Sequence, residues 1–483
     1  MALAPLIVSA ALAAAAPRPQ PARAFRCGVL TGLLYFGGTL YWVAPTMQTY
    51  GGLAMWIAVL VALLLISYLA LYTGLFALLV SLAVRRFGVA GIWFAPWIWV
   101  TTEWLRSFVG SGFPWVLLGT SQASVIPIVQ LASVTGVYGL SVLVALVSTA
   151  AASLALTERA RHRWAAAGVG ALVVIVAVAG AVRAAGGTLL TSGDVLRVGL
   201  VQGNIDQSIK YDQAHSAEIM DRYIGLSRQA IGAGAQLVIW PEASTPFYFD
   251  VDAARAAPIR RLAQEARLPF IIGSDEFEPG GGRGPDRFYN SAILVGPDGR
   301  SHAVYRKLRL VPFGEYVPLK RLLFFVGPLV EGVGDFSFGT DPVVFDADGR
   351  RVSVAICYES IYPWIARAFV QRGSQLLATI TNDAWFGRSS AAFQHWEQGA
   401  IRAVEEGRYI VRAANTGISG AVDPYGRTVE TTRLFEAAAM TVDVRLHTHR
   451  TIYSYLGDMA AWLGAAITAA VLFMAWRRPA SRP

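Results

Sequence analysis

Only two of the first 190 residues are acidic, Glu103 and Glu158, and this stretch is broken into apolar runs near 3–16, 27–46, 53–83, 90–109, 125–156 and 164–184. About 20 apolar residues are needed for an α-helix to cross the hydrocarbon layer of a bilayer. A segment in lipid must also satisfy its own backbone hydrogen bonds, which leaves a lone run of this kind the helix. The first run is short; the others suffice, and a seventh near 457–476 lies close to the end of the chain. The charge between the runs is one-sided. Arg18, Arg23 and Arg26 follow the first run, Arg85 and Arg86 the third, and Arg159, Arg161 and Arg163 the fifth, whereas 47–52 and 110–124 carry no charge. By the positive-inside rule the arginine loops are cytoplasmic and the uncharged loops lie outside. The sixth helix then exits near residue 185, everything from 195 to 450 is outside, and the last helix returns to Trp476-Arg477-Arg478. The same count puts residue 1 outside, so one further helix is expected ahead of it. The first run has an alanine-rich tail like that of a signal peptide, but its arginines follow rather than precede it, which favours a membrane segment.

Glu103 and Arg106 stand three residues apart at the end of the fourth run. Charges at membrane depth are costly and are usually paired or functional; this spacing predicts an ion pair on one helix face. The next loop, Gly112-Phe113-Pro114-Trp115, is an apolar aromatic shelf on the outer side. A net charge of +9 raises the question of nucleic acid, but no basic stripe with interleaved aromatics is present, and much of the arginine sits in the short loops. Two cysteines, Cys27 in an apolar run and Cys357 far downstream, do not make a disulfide framework.

From Val195 the pattern changes to short strand-like runs, clearest at Leu196–Val201, Gln236–Trp240, Pro269–Gly273, Ser291–Val295, Val352–Cys357, Leu376–Ile380 and Ile418–Val422. Helical periodicity fills 213–233, 253–267, 361–373 and 391–407. Pro297-Asp298-Gly299 and Asp346-Ala347-Asp348-Gly349 are hairpin signals. The expected organisation is a transmembrane helical bundle over 1–190, a layered α/β domain over 195–450, and a C-terminal membrane helix over 457–476.

Three residues at the ends of strand-like runs carry the chemistry: Glu242 in Trp240-Pro241-Glu242, Lys307 in Tyr305-Arg306-Lys307, and Cys357 in Ile356-Cys357-Tyr358-Glu359. A thiol, a carboxylate and an ammonium suffice to make and break an acyl-enzyme. A free thiol is mostly protonated at neutral pH and needs a base; Glu242 is placed to be that base, with an apolar pocket raising its pKa. Lys307 favours the thiolate and then the oxyanion, and the Tyr358 N–H is a second oxyanion donor. Glu315 holds Lys307 and Glu359 frames the cysteine loop, unless both are plain salt-bridge partners. The bland reading of Cys357 is a buried cysteine at a strand end. His395, in Phe393-Gln394-His395-Trp396, raises a Cys–His pair, but its place at a helix start favours packing or capping. Spacing for a metal site is absent, as is any cofactor motif. Leu322–Val330, with Phe324 and Phe325, reads as core or as an apolar arm over a lipid site.

The order and spacing of the Glu, Lys and Cys motifs resemble the nitrilase superfamily. The added runs Val201-Gln202-Gly203-Asn204, Val311-Pro312-Phe313-Gly314-Glu315-Tyr316-Val317-Pro318 and Thr381-Asn382-Asp383-Ala384-Trp385-Phe386-Gly387 resemble its membrane-bound branch, the apolipoprotein N-acyltransferases. The resemblance covers nearly the whole chain and implies a nitrilase-like αββα sandwich, with Glu242, Lys307 and Cys357 catalytic and Glu315, Tyr358 and Glu359 supporting. It implies substrate contacts from Tyr211, Asn382, Trp385, Phe324 and Phe325. Tyr211 stands where family members carry the tryptophan of a Lys-Trp-Asp run. The implied reaction takes an acyl chain from a phospholipid onto Cys357 and passes it to the α-amine of a diacylglyceryl-cysteine at a lipoprotein N-terminus. It needs no cofactor and occurs on the periplasmic side of a bacterial inner membrane. A membrane-tethered amidase or nitrilase with water as acceptor is the alternative.

Overall fold

The computed structural model describes residues 3–280, 285–316 and 335–477. Phe324, Phe325 and the rest of the expected apolar arm lie outside the described residues, as does Arg478. The chain divides into two units, one holding the described residues up to Pro45, Leu53–Gly186 and those from Tyr455 onward, the other Thr46–Gly52 and Gly187–Ser454.

In the first unit the apolar runs become the helices Ala4–Ala15, Pro21–Thr39, Met55–Phe87, Ala95–Arg106, Ala132–Leu156, Ala160–Gly186 and Met459–Arg477. Four stretches among the described residues are long and apolar enough to span a membrane: Met55–Arg106, Ala132–Leu156, Ala160–Thr191 and Met459–Arg477. Pro21–Thr39 and Val43–Gly51, bent by 52°, make a fifth if they form one broken span. The fourth run yields a shorter helix than its apolar length implies. Gly88 at φ 63° ends the preceding helix, and Pro96 starts the next at Ala95. The helices Pro21–Thr39 and Met55–Phe87 approach through small residues. A Cβ on Gly28 would lie 2.5 Å from the Thr73 carbonyl oxygen, and one on Gly32 2.7 Å from Ala70 Cα, which is the small-xxx-small contact of membrane helices.

Glu103 and Arg106 serve the 113–118 loop, where the sequence suggested a pair with each other. Glu103 Oε1 accepts from the Leu118 N–H at 2.6 Å, and Arg106 donates to the carbonyls of Phe113 (3.0 Å) and Trp115 (2.8 Å). The loop backbone has no ladder to join, so its polar groups claim both side chains.

Among the described residues the second unit holds two six-stranded mixed sheets. In chain order the strands are β1 (Val195–Gln202), β2 (Leu237–Ile239), β3 (Phe270–Glu278), β4 (Arg287–Val295), β5 (Ser301–Arg306), β6 (Phe345–Asp346), β7 (Arg351–Ile356), β8 (Leu376–Thr381), β9 (Ile410–Ala414), β10 (Gly420–Val422), β11 (Thr428–Thr431) and β12 (Ala438–Arg445). One sheet runs β12-β1-β2-β3-β4-β5 and the other β11-β10-β9-β8-β7-β6. The three strands β1, β2 and β3 are mutually parallel, as are β7, β8 and β9; antiparallel strands flank each trio. Helices Ser216–Gly232 and Ala253–Ala266 go with the first sheet and Pro363–Gln371 and Ala391–Glu406 with the second, while the sheets meet each other through β1–β9 and β4–β7. This is the expected αββα layering. Its cause is legible in β8, buried at all six positions, because a strand between a sheet and a helix layer has no wet face. Ser216–Gly232 buries Ile219, Met220, Tyr223, Ile224, Ser227 and Ala230, the 3–4 spacing of one helix face.

The expected hairpins fall at β4–β5 and β6–β7, where Gly299 (φ 73°) and Asp348–Gly349 (φ 58° and 78°) take the left-handed geometry such turns require. Among the described residues β6, β9, β11 and β12 lie outside the clearest strand-like runs, and β5 is marked by the run that ends at Lys307. Exposed β11, for instance, lacks the apolar alternation that marks a strand.

Candidate active site

The parallel trios place their C-terminal ends where α/β sheets commonly present functional groups. Glu242 follows β2, Cys357 follows β7 and Asn382 follows β8; Lys307 follows β5, which runs in the same direction as β3 because two antiparallel pairings separate them.

The base is held by packing ahead of it. Trp240 is fully buried, stacks on Tyr223 at 4.9 Å and donates its Nε1–H to Ser227 Oγ at 2.8 Å. The turn beyond Glu242 presses against β3 so closely that a Cβ on Gly273 would sit 2.1 Å from the Pro241 carbonyl oxygen. Glu242 itself is buried. Its Oε1 accepts from Lys307 Nζ (3.1 Å) and Asn290 Nδ2 (2.7 Å), and its Oε2 from the Asn382 backbone N–H (2.9 Å). Burial opposes its charge, but Lys307, Asn290 and Lys210 outweigh burial and hold the carboxyl below its usual pKa. This corrects the expected upward shift: the pocket is buried but not apolar.

Lys307 is 1% exposed and lies between two carboxylates, with Glu315 Oε1 2.9 Å from Nζ. Burial works against the ammonium, and the two acids override it, so its pKa stands well above the usual lysine value. Glu315 also accepts from Asn290 Nδ2 (2.8 Å) and the Val311 N–H (2.8 Å), tying the lysine to its loop. Glu359 is a clamp on both loops. It accepts from the Tyr305 hydroxyl (2.8 Å) and the N–H groups of Leu308 (2.6 Å), Arg309 (3.1 Å) and Ile356 (2.7 Å). Burial raises its pKa to about 7.

Cys357 opens the turn Cys357–Ile361 at φ 52°. A residue with a Cβ is disfavoured there by about 1–2 kcal/mol, a cost that persists only where the surroundings fix it. Burial and the negative Glu242 push the thiol pKa up, while Lys307 pulls it down. The resting site therefore holds a protonated thiol in the field of an anionic Glu242 and a cationic Lys307. Tyr358, next in the turn, is buried.

Of the expected substrate contacts, Tyr211 is half-exposed, with its hydroxyl 3.5 Å from Asp275 Oδ2. Asn382 is 2% exposed and positions the base through its backbone. Its amide is taken by Gln207 (2.7 Å) and Asn415 (3.0 Å). Trp385 packs on Tyr50 at 5.1 Å, and Thr46 and Tyr50 each donate 2.8 Å hydrogen bonds to the carbonyls of Trp385 and Ala384. The segment that reads as an uncharged loop in the sequence thus braces the loop after β8.

Two participants, Asn290 and Lys210, escaped sequence reasoning, and a third, His395, was read there as packing or capping. Asn290 bridges Glu242 and Glu315 from β4. Lys210, buried, donates to the Glu242 carbonyl at 3.3 Å, and burial lowers its pKa to about 8. His395 does not address the thiol as a base would. Its Nε2 faces the Cys357 carbonyl oxygen (3.0 Å) and Ser360 Oγ (2.9 Å), and its Nδ1 faces Asp383 Oδ1 (3.0 Å). Of the two that escaped, Lys210 had a sequence signal, its place in the Lys-Tyr-Asp run. Among the described residues no cluster of His, Cys, Asp and Glu is arranged to hold a metal ion.

Residues 197–453 match the family model described as carbon-nitrogen hydrolase, and residues 1–150 match that of the apolipoprotein N-acyltransferase N-terminal domain. A protein named apolipoprotein N-acyltransferase in Geobacter metallireducens is 41% identical over 475 residues, covering 98% of this chain and 91% of its own. One of the same name in Methylococcus capsulatus is 34% identical, covering 96% and 90%. Among solved structures, an amidase from Nesterenkonia sp. aligns with a TM-score of 0.40 and 22% identity, over 53% of this chain and 93% of that one. With both domain models matched in order and relatives aligned over at least 90% of each chain, the chain belongs to the apolipoprotein N-acyltransferase family of the carbon-nitrogen hydrolases.

Proposed function

We propose that the protein is a phospholipid:apolipoprotein N-acyltransferase in which Cys357 carries the acyl chain between two substrates. The observation that carries this reading is the buried Glu242–Lys307 pair at the strand ends, acting electrostatically on Cys357. Glu242 takes the thiol proton as Sγ attacks the ester carbonyl of a phospholipid. The tetrahedral oxyanion forms beside Lys307 and the Tyr358 N–H, whose charge and dipole stabilise it most where water is excluded. Collapse breaks the C–O bond, and the proton on Glu242 passes to the departing alkoxide, releasing a lysophospholipid and leaving a thioester. The α-amine of a diacylglyceryl-cysteine then attacks the same carbonyl. Glu242 takes the amine proton and returns it to the leaving sulfur, giving an amide and free Cys357. One site serving two substrates in turn gives ping-pong kinetics.

The arginine loops support a periplasmic placement of the catalytic domain in a bacterial inner membrane, and its insertion in the chain between apolar helices Ala160–Gly186 and Met459–Arg477 supports tethering at both ends. Tyr211 and Trp385, both partly exposed, are the proposed substrate contacts among the described residues. The test is intact-protein mass spectrometry of the purified enzyme mixed with phospholipid. A hydroxylamine-labile acyl adduct is expected on the wild type and not on Cys357→Ala, discharged by a diacylglyceryl-cysteine peptide. Discharge by water alone would select the amidase alternative, and no adduct from any phospholipid would refute the lipid donor.

A further inference from the structure

We propose that His395 is the positioning residue of the nucleophile: by donating from Nε2 to the Cys357 carbonyl, it locks the left-handed backbone that aims the thiol. The inference rests on Cys357 being the acyl carrier.

The carbonyl can only accept, so Nε2 must carry a hydrogen. The neutral ring and the imidazolium both provide one, and the assignment does not depend on which is present. The other side of the ring is fixed by a buried anchor. Nδ1 lies 3.0 Å from Asp383 Oδ1 and 2.9 Å from an Arg412 guanidinium nitrogen. Asp383 is in turn bound by Arg412 and by the Thr381 hydroxyl (2.8 Å). Burial opposes the charge on Asp383, yet Arg412 and His395 hold its carboxyl well below the usual range, so the anchor is a fixed anion. His395 and Asp383 are completely buried, and Arg412 is nearly so.

The geometry is that of a brace. Thr381 ends β8, which pairs with β7, the strand that Cys357 follows, and Arg412 sits in β9 on the far side of β8, so the anchor is built on the two strands next in order after β7. The ring carries their position to the one residue of the triad with φ at 52°. Without that donor the carbonyl loses a buried partner, and the backbone is free to relax toward the ordinary negative φ, which swings Sγ away from Glu242 and Lys307. A purely structural histidine would need neither this direction nor this contact.

The experiment compares His395→Gln, His395→Asn and His395→Leu in the full-length enzyme. A glutamine amide reaches the position of Nε2, an asparagine amide only that of Nδ1. Single-turnover thioester formation is followed by mass spectrometry across phospholipid concentrations, beside thermal melting. Misplacing a reacting atom by about 1 Å costs about 100-fold. The expected result is that loss for Asn and Leu at saturating phospholipid, with half-saturation unchanged, and rescue to within about tenfold of wild type by Gln. Leu or Asn reacting at the wild-type rate, or Gln no better than Asn, would overturn the proposal. If Leu does not fold, the Gln–Asn pair decides. If the wild type takes no acyl chain, the donor assignment fails instead, and the same ratios are read from iodoacetamide labelling of Cys357.

Discussion

Replacing Lys307 by methionine tests the electrostatics of the site most directly. The ammonium is 1% exposed, with Glu242 and Glu315 oxygens at 3.1 and 2.9 Å. Methionine keeps most of the stem and removes the charge, leaving two buried carboxylates joined only through Asn290. Removing one partner of a buried pair costs about 3–5 kcal/mol. The sign with pH follows from the direction of the Glu242 shift. In the wild type its folded pKa lies below the ordinary value, so it contributes stability above about pH 4.5 that is lost as the pH falls through the folded pKa. In Lys307→Met burial and the neighbouring acid are no longer offset, the folded pKa rises above the unfolded one, and stability is lost as the pH rises. The melting temperature of the variant, followed from pH 5 to 8 in detergent, therefore recovers toward the acid end. At pH 7 single-turnover acylation falls by at least about 10²–10³, the loss expected for one oxyanion donor, with further loss from a base that is partly protonated. A variant within tenfold of the wild-type rate, or one whose melting temperature rises toward pH 8, would show that the ammonium does not set the charge of the site.

Three other perturbations have defined outcomes. Glu359→Leu leaves the buried N–H groups of Ile356 and Leu308 without their acceptor, at about 1–3 kcal/mol each. Its melting temperature should fall far more than that of Glu359→Gln, which keeps an acceptor. Gly273→Ala forces a Cβ to within 2.1 Å of the Pro241 carbonyl, so thioester formation should drop even in preparations that remain folded by circular dichroism. Burial raises Asp275 to a pKa of about 7, so the wild type loses up to about 4 kcal/mol between pH 3.8 and 7 that Asp275→Asn does not. The gap between their melting temperatures should open over that window and stay constant above it; a constant gap throughout would show that Asp275 is not raised.

Glu242, Lys307 and Cys357 were legible because each is announced locally, by an apolar run that ends in a turn and places a reactive group at a strand end. Hydrophobic periodicity likewise located the four long helices described in the sandwich to within a few residues, since each buries one face. The hydrogen bonds that make the site work are not local. Asn290 meets Glu242 across 48 residues, His395 meets Cys357 across 38, and Arg412 meets Asp383 across 29. No short pattern records them. Glu103 and Arg106 show the reverse hazard, a spacing that suits an ion pair while loop carbonyls and an N–H take both side chains.

Which residues are reactive, which segments are apolar enough to enter a membrane, and where strands and helices alternate were all readable from the chain alone, because these depend on side-chain chemistry and on short-range period. Tertiary structure alone decided their electrical state. Burial by itself raises the pKa of Glu242 and works against its charge. Lys307, arriving from a strand three places away in the same sheet, reverses that with Asn290 and Lys210, because an opposite charge at 3.1 Å in a desolvated site outweighs the loss of water.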